Sequence, residues 1–288
     1  MKQLLILSGK GGTGKTTMAG AFIKLAQAKA YADCDVDAPN LHLLIDQPFQ
    51  SKKVDYYGMD KACIDASKCI ICGICKESCR FNAINYIKDN YQVDYYACEG
   101  CGVCEKICPV EAINMQPAVA GELMLYKDTE IFSTARLKMG SGNSGKLVTE
   151  VKKQMQGAAR DVELAIIDGS PGIGCPVIAS LSGVDMVLIV TEPSLSGISD
   201  MRRILDTAAK FQVKCVVCIN KYDTNPQNTS KIEALCQELK LPLVGKVPFD
   251  REAIKAVNNG QSIAEVDCAA GRAAKAVYDQ TMEVLFNF

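Results

Sequence analysis

Apolar residues fall in short unbroken runs along this chain, and the runs alternate with stretches of helical spacing. Leu4-Leu5-Ile6-Leu7 is four apolar residues in a row, the pattern of a strand buried on both faces of a parallel sheet. A glycine-rich segment follows. From 16 to 29 the spacing turns helical, with Ala19, Phe22, Ile23 and Ala26 on one face. Residues 29–33 read as a second short strand. Residues 60–116 break the rhythm: they carry cysteines and glycines and few long apolar runs. From about 147 the alternation returns, with strands expected at 165–168, 186–190, 215–219 and 243–247. Helices are expected over 199–211, 229–239 and 271–286. Alternating strands and helices predict an α/β fold, a mostly parallel sheet with helices on both faces. Residues 1–58 and 117–288 then form one discontinuous domain, interrupted by a small α+β insert at 59–116.

Length and charge narrow the options. The 288 residues suffice for one large α/β domain plus a small insert. The net charge of -1 leaves no strong basic field, so nucleic acid is not an expected partner. No run of about 18 apolar residues is present, and the N-terminus lacks the features of a signal peptide. The C-terminal run 277–288 has no lysine or arginine, so it is expected to pack on the sheet rather than on a membrane. The expected location is the cytoplasm.

Residues 9–17 read Gly-Lys-Gly-Gly-Thr-Gly-Lys-Thr-Thr, between a strand and a helix. Glycines at 9, 11, 12 and 14 let backbone N–H groups converge on phosphate oxygens, and the helix N-terminus favours anions. In this P-loop (Walker A) pattern Lys15 reaches the β- and γ-phosphates and the Thr16 hydroxyl ligates Mg²⁺, with Thr13 and Thr17 completing the loop. Asp168 ends an apolar strand, as a Walker B aspartate does. A second Gly-x-x-x-x-Gly-Lys spacing, at 140–146, is followed by Leu147. It offers no hydroxyl for Mg²⁺ and reads as a loop leading into a helix.

The early lysine, Lys10, makes the loop resemble the deviant Walker A of the MinD/ParA/Mrp/nitrogenase-iron-protein superfamily. The resemblance implies an ATP-dependent homodimer in which Lys10 crosses to the partner's nucleotide. It implies further roles along the chain. Asp33-Cys34-Asp35 resembles the first switch, with Asp35 orienting the attacking water. Gly169-Ser170-Pro171-Gly172 resembles the second switch, with the Gly172 N–H toward the γ-phosphate. Asn220, Pro248 and Asp250 are placed around the base. Lys10, Lys15, Asp35 and Asp168 become the catalytic set. Asn220-Lys221-Tyr222-Asp223 also fits the Asn-Lys-x-Asp pattern that reads guanine, so Asp223 leaves GTP open.

Fifteen cysteines are many for a chain expected in a reducing compartment, where clustered cysteines point to metal or redox chemistry. Cys69, Cys72, Cys75 and Cys79 form Cys-x-x-Cys-x-x-Cys-x-x-x-Cys. Cys98, Cys101, Cys104 and Cys108 repeat it. This is the spacing of bacterial two-cluster ferredoxins, in which the fourth cysteine ligates the other cluster. Two 4Fe-4S clusters are expected: one on Cys69, Cys72, Cys75 and Cys108, the other on Cys98, Cys101, Cys104 and Cys79. Pro109 follows the second set and Arg80 the first, a departure that spares the ligands. Two zinc sites are the alternative, although zinc usually takes separated Cys-x-x-Cys pairs rather than a tight triplet.

The remaining candidates are weaker. Cys175, just after the second switch, is either a small residue at a helix start or a sensor of nucleotide state. Cys215 and Cys218 lie on opposite faces of one strand, which argues against a shared metal. Cys63 is expected to be structural, and His42 to pack or cap.

The whole pattern resembles MinD-superfamily ATPases with an inserted ferredoxin domain. The resemblance implies an ATPase that couples nucleotide state to electron transfer, with a redox partner. A metallocluster assembly or carrier ATPase with an acceptor partner is the first alternative. A MinD/ParA-like scaffold ATPase with structural clusters is the second.

Overall fold

Leu4, Leu5, Ile6 and Leu7 are wholly buried, as a strand covered on both faces must be. In the computed structural model, which describes residues 1–45 and 50–287, they form β1 (Lys2–Leu7). The P-loop leads into α1 (Lys15–Ala26), which ends where Gln27 turns left-handed, and then into β2 (Ala30–Asp33). Next come β3 (Ser51–Tyr57), β4 (Lys61–Ile64), α2 (Ile74–Ser78), β5 (Ile84–Ile87) and β6 (Asn90–Val93). They are followed by α3 (Val103–Ile107), β7 (Ile113–Gln116), β8 (Val119–Lys127) and β9 (Ile131–Leu137). The rest alternates: α4 (Ser144–Ala158), β10 (Leu164–Asp168), α5 (Cys175–Leu181), β11 (Met186–Thr191), α6 (Leu195–Lys210) and β12 (Lys214–Asn220). It ends with α7 (Pro226–Glu238), β13 (Leu243–Val247), α8 (Arg251–Asn258) and α9 (Ala269–Phe286).

The chain divides into two units. The larger comprises residues 1–53, 123–135 and 145–288, and the smaller residues 54–122 and 136–144. In the larger unit the strands run in the order β13-β12-β11-β1-β10-β2-β9, and every adjacent pair in this series is parallel. The order continues through β8 and β3, and the unit limits fall within β3, β8 and β9 and after the first residue of α4. One core gathers Leu4, Ile6, Phe22, Tyr31, Ile166 and Leu188 with Val277 and Leu285 of α9. That places the C-terminal helix on the sheet, through Leu285; Phe288 lies outside the described residues. Among the described residues no helix is long and apolar enough to cross a membrane.

The smaller unit has two antiparallel ribbons, β4 with β7 and β5 with β6, and two five-residue helices. Its core is small: Ala62, Ala83, Ile84 and Ile113 together with Cys75 and Cys98.

Three departures from the sequence reading stand out. The α/β rhythm resumes at β9, before residue 147: β9 pairs with β2, with Phe132 and Ala135 buried. The loop at 140–146 already belongs to α4 from Ser144 onward. The helix α8, absent from the expected elements, starts on the Asp250 cap.

Candidate functional site

Parallel pairing brings the C-terminal ends of the strands to one edge of the sheet, where ligands of α/β folds bind. Ile6 lies opposite Asp168, and Asp168 opposite Asp33. The P-loop leaves β1 at that edge. A cleft of about 540 Å³ opens there, lined by Lys10 to Thr17 with Asp35, Asn40 and Pro171. Two glycines of the loop are dictated by neighbours. A Cβ on Gly9 would sit 2.0 Å from Asp200 Cβ. Gly14 has φ +94, and a Cβ there would lie 2.2 Å from Asn220 Nδ2.

Lys15, Thr16 and Asp168 meet at the floor. Lys15 Nζ lies 2.6 Å from Asp168 Oδ1, and the Thr16 hydroxyl donates to Oδ2 at 2.7 Å. Lys15 is 6% exposed and Asp168 is wholly buried. Burial works against the Lys15 ammonium, but the charge and hydrogen bond of Asp168, with Asp33 and Asp35 behind, hold its pKa above the ordinary lysine value.

The first switch is built on Asp33. Its buried carboxylate accepts the N–H groups of Asp35, Asn40 and Leu41, which fixes the loop carrying Asp35 into the cleft. Burial, then the Asp168 charge, push Asp33 upward. Burial also raises Asp35, against the opposing pull of Lys15. In the second switch the Ser170 hydroxyl donates to Cys34 O at 2.5 Å, tying the two switches together.

The other expected residues divide. Asn220 Nδ2 donates to Thr13 O at 2.7 Å, bracing the P-loop. Asn220, Pro248 and Asp250 line a second pocket of about 230 Å³ with Met18, Phe249 and Ile254. Asp250 spends its carboxylate on the N–H groups of Glu252 and Ala270. Asp223 does not line this pocket, and its Oδ1 accepts the Phe249 N–H at 2.8 Å. The Gly172 N–H donates to Ser8 O at 3.0 Å rather than pointing into the cleft. Lys10 pairs with Glu192 of its own chain, Nζ to Oε1 2.6 Å. Cys218 is buried in the core, Cys215 is partly covered, and Cys175 is exposed at the start of α5. Cys63 is exposed and His42 lies in a single helical turn, Leu41–Leu43.

Sequence reading missed two charged residues. Glu192 follows β11 and faces both Lys10 and Lys221. Burial opposes its charge, yet the two lysines hold its pKa below the ordinary glutamate value. Its signal was its place, a carboxylate one residue past a strand end on the P-loop edge. Lys152 is buried on α4 among Val148, Val151 and Met155. It donates to Ser180 O at 2.6 Å and Ser182 O at 2.5 Å, satisfying carbonyls at the end of α5. Spacing could not single it out, because it sits on the apolar face.

In the smaller unit the eight cysteines line two separate cavities. Cys69, Cys72, Cys75 and Cys108 face one, with Ile70, Ile74, Tyr91 and Ile113. Cys79, Cys98, Cys101 and Cys104 face the other, with Phe81, Ile84, Val93 and Met115. The Ala112 N–H donates to Cys108 Sγ at 3.3 Å. Among the described residues no three His, Cys, Asp or Glu side chains form a group suited to a single metal ion.

Comparison with known proteins agrees with the larger unit. An uncharacterised protein of Methanocaldococcus jannaschii is 31% identical over 288 residues, covering 98% of this chain and 97% of that protein. The septum site-determining protein MinD of Bacillus subtilis is 30% identical over 120 residues, 40% of this chain and 45% of its own length. The MinD structure of Pyrococcus horikoshii, complexed with Mg-ADP, superposes with a TM-score of 0.60 at 15% identity, covering 99% of this chain and 98% of that one. The CobQ/CobB/MinD/ParA nucleotide binding domain matches residues 4–263, and with a P-loop on that sheet edge this chain belongs to that family of P-loop ATPases.

Proposed function

We propose that this protein binds and hydrolyses ATP as a homodimer, and that nucleotide state controls electron transfer through two 4Fe-4S clusters held in the smaller unit. One observation carries the reading. The eight cysteines divide between two cavities as crossed ferredoxin pairing requires, in the same chain as a P-loop cleft.

The cysteines fit such a group. Each iron of a cube takes one thiolate, so four cysteines must surround a cavity rather than converge on a point. Each quartet lines one cavity among apolar residues, with Cys72 and Cys101 exposed. When bound, clusters of this type supply one-electron transfer.

The nucleotide cleft has the parts for phosphoryl transfer. Lys15 neutralises the phosphates, and the Thr16 hydroxyl, backed by Asp168, would hold Mg²⁺. The Mg-ADP of the archaeal MinD structure supports this pairing of metal and nucleotide. Asp35, placed in the cleft by Asp33, orients the attacking water. The pocket at Met18, Pro248 and Phe249 takes the base. Asp223 lies outside this pocket with one carboxylate oxygen engaged by the Phe249 N–H, which favours adenine over guanine as the base. In this reading residues 1–58 with 117–288 carry the nucleotide function and residues 59–116 the clusters.

Anaerobically purified protein should carry about eight irons per chain and turn over MgATP. Iron-free protein with full ATPase activity would contradict the cluster assignment. It would favour a second reading, a MinD/ParA-like scaffold ATPase, which the similarity to MinD supports.

A further inference from the structure

Lys10 has a competing partner inside its own chain. Its Nζ lies 2.6 Å from Glu192 Oε1 and donates to the Ser196 hydroxyl at 3.2 Å. Lys221 approaches the other carboxylate oxygen, Oε2, at 3.6 Å, and donates to Gly12 O at 2.8 Å. One carboxylate thus bridges a lysine of the P-loop and a second lysine that binds the loop's backbone at Gly12. The backbone holds Glu192 there. It follows β11 directly, and the Ser194 hydroxyl caps α6 by accepting the Gly197 N–H while donating to Glu192 Oε1 at 3.4 Å.

We infer that Glu192 is a positioning residue for Lys10: it latches the lysine in its own protomer and so sets the protein concentration at which the nucleotide-bound dimer forms. The inference rests on the proposal that Lys10 crosses to the partner's nucleotide. One ammonium cannot keep a 2.6 Å contact with Glu192 and also serve a phosphate in the other subunit. Each chain must therefore release its latch before the dimer closes. Two latches open per dimer, so the apparent dimer affinity falls with the square of the released fraction. A latch holding Lys10 about two-thirds of the time weakens dimerisation about tenfold. Glu192 is 18% exposed and Lys10 39%, so salt reaches the pair and loosens it.

The test uses the full-length, cluster-loaded protein and a non-hydrolysable MgATP analogue, with dimer formation followed by analytical ultracentrifugation over a range of protein concentrations. Glu192→Gln keeps the side chain's shape and removes its charge. It should form the dimer at about tenfold lower concentration, and high salt should narrow the gap from wild type. Nucleotide affinity of the monomer, measured well below the dimerisation range, should stay unchanged. Lys10→Ala should abolish the dimer alone and in combination with Glu192→Gln. Should Lys10→Ala abolish the dimer while Glu192→Gln dimerises no better than wild type, the latch is wrong and the trans role of Lys10 stands. Should Lys10→Ala dimerise like wild type, both ideas fail together.

Discussion

Asp35 and Asp223 are turned differently although both lie near the nucleotide cleft. Asp35 stands in the cleft, on a loop fixed by three hydrogen bonds to Asp33. Asp35→Ala should keep MgATP binding and lower hydrolysis by about 10²-fold or more, read as single-turnover rate against nucleotide affinity. Normal turnover would remove Asp35 from the mechanism. Asp223 is turned toward Phe249 instead. Competition binding should therefore show ATP strongly preferred over GTP in wild type, and the preference should survive Asp223→Ala. GTP binding that matches ATP in wild type and disappears in the variant would reverse this assignment. The sequence placed Asp35 in the catalytic set and left Asp223 only as a sign that GTP stays open. The hydrogen bond that Asp223 accepts from Phe249 was not legible, because the Asn-Lys-x-Asp spacing does not encode where a carboxylate turns.

At the scale of elements, β1, β10, β11 and β12 were legible because each contains an unbroken apolar run, whereas β13 is interrupted by Gly245 and Lys246 and was found by its place in the alternation. β3 escaped notice because it is largely polar and only Tyr56 is buried; β8 carries the short run Leu123 to Tyr126, but those residues are only partly buried and no helical stretch flanks them in the alternation. The cysteine repeat was legible for a different reason, its identical spacing at two places; the crossed pairing it implies belongs to the proposed function, and the lining of the two cavities is consistent with it. Cys79→Ala should therefore damage the cluster on Cys98, Cys101 and Cys104, not the one on its own repeat. Iron content should drop by about half, with the EPR signal of one cluster retained. Loss confined to the cluster of Cys69, Cys72 and Cys75 would overturn the crossed assignment.

Lys152 illustrates what periodicity hides. It is a charge on a buried helix face, kept there by the carbonyl ends of α5. Burial drives its pKa from 10.5 down to about 8. Between those values the unfolded chain binds more protons at this lysine than the native chain does, so its contribution makes stability rise with pH across that window. Below about pH 8 the lysine is charged in both states and contributes no slope. Melting temperatures of wild type should therefore gain on those of Lys152→Met as pH climbs from about 8 to 10.5, while a constant difference would place the charge elsewhere.

For the whole molecule, the family fold and the nucleotide cleft come from one sheet edge, and the cysteines from a unit spliced into the same chain. The two switches are tied through Ser170 and Cys34, and the second switch runs into α5, whose far end rests on Lys152. A γ-phosphate that moves Gly172 off Ser8 would thus shift a helix as well as a loop. In the proposed function such a shift alters the clusters. The direct test is an anaerobic redox titration monitored by EPR, run with MgADP and with a non-hydrolysable MgATP analogue. The account predicts that the cluster potential or spectrum changes between the two nucleotides. Identical titrations in both states would contradict nucleotide-gated electron transfer.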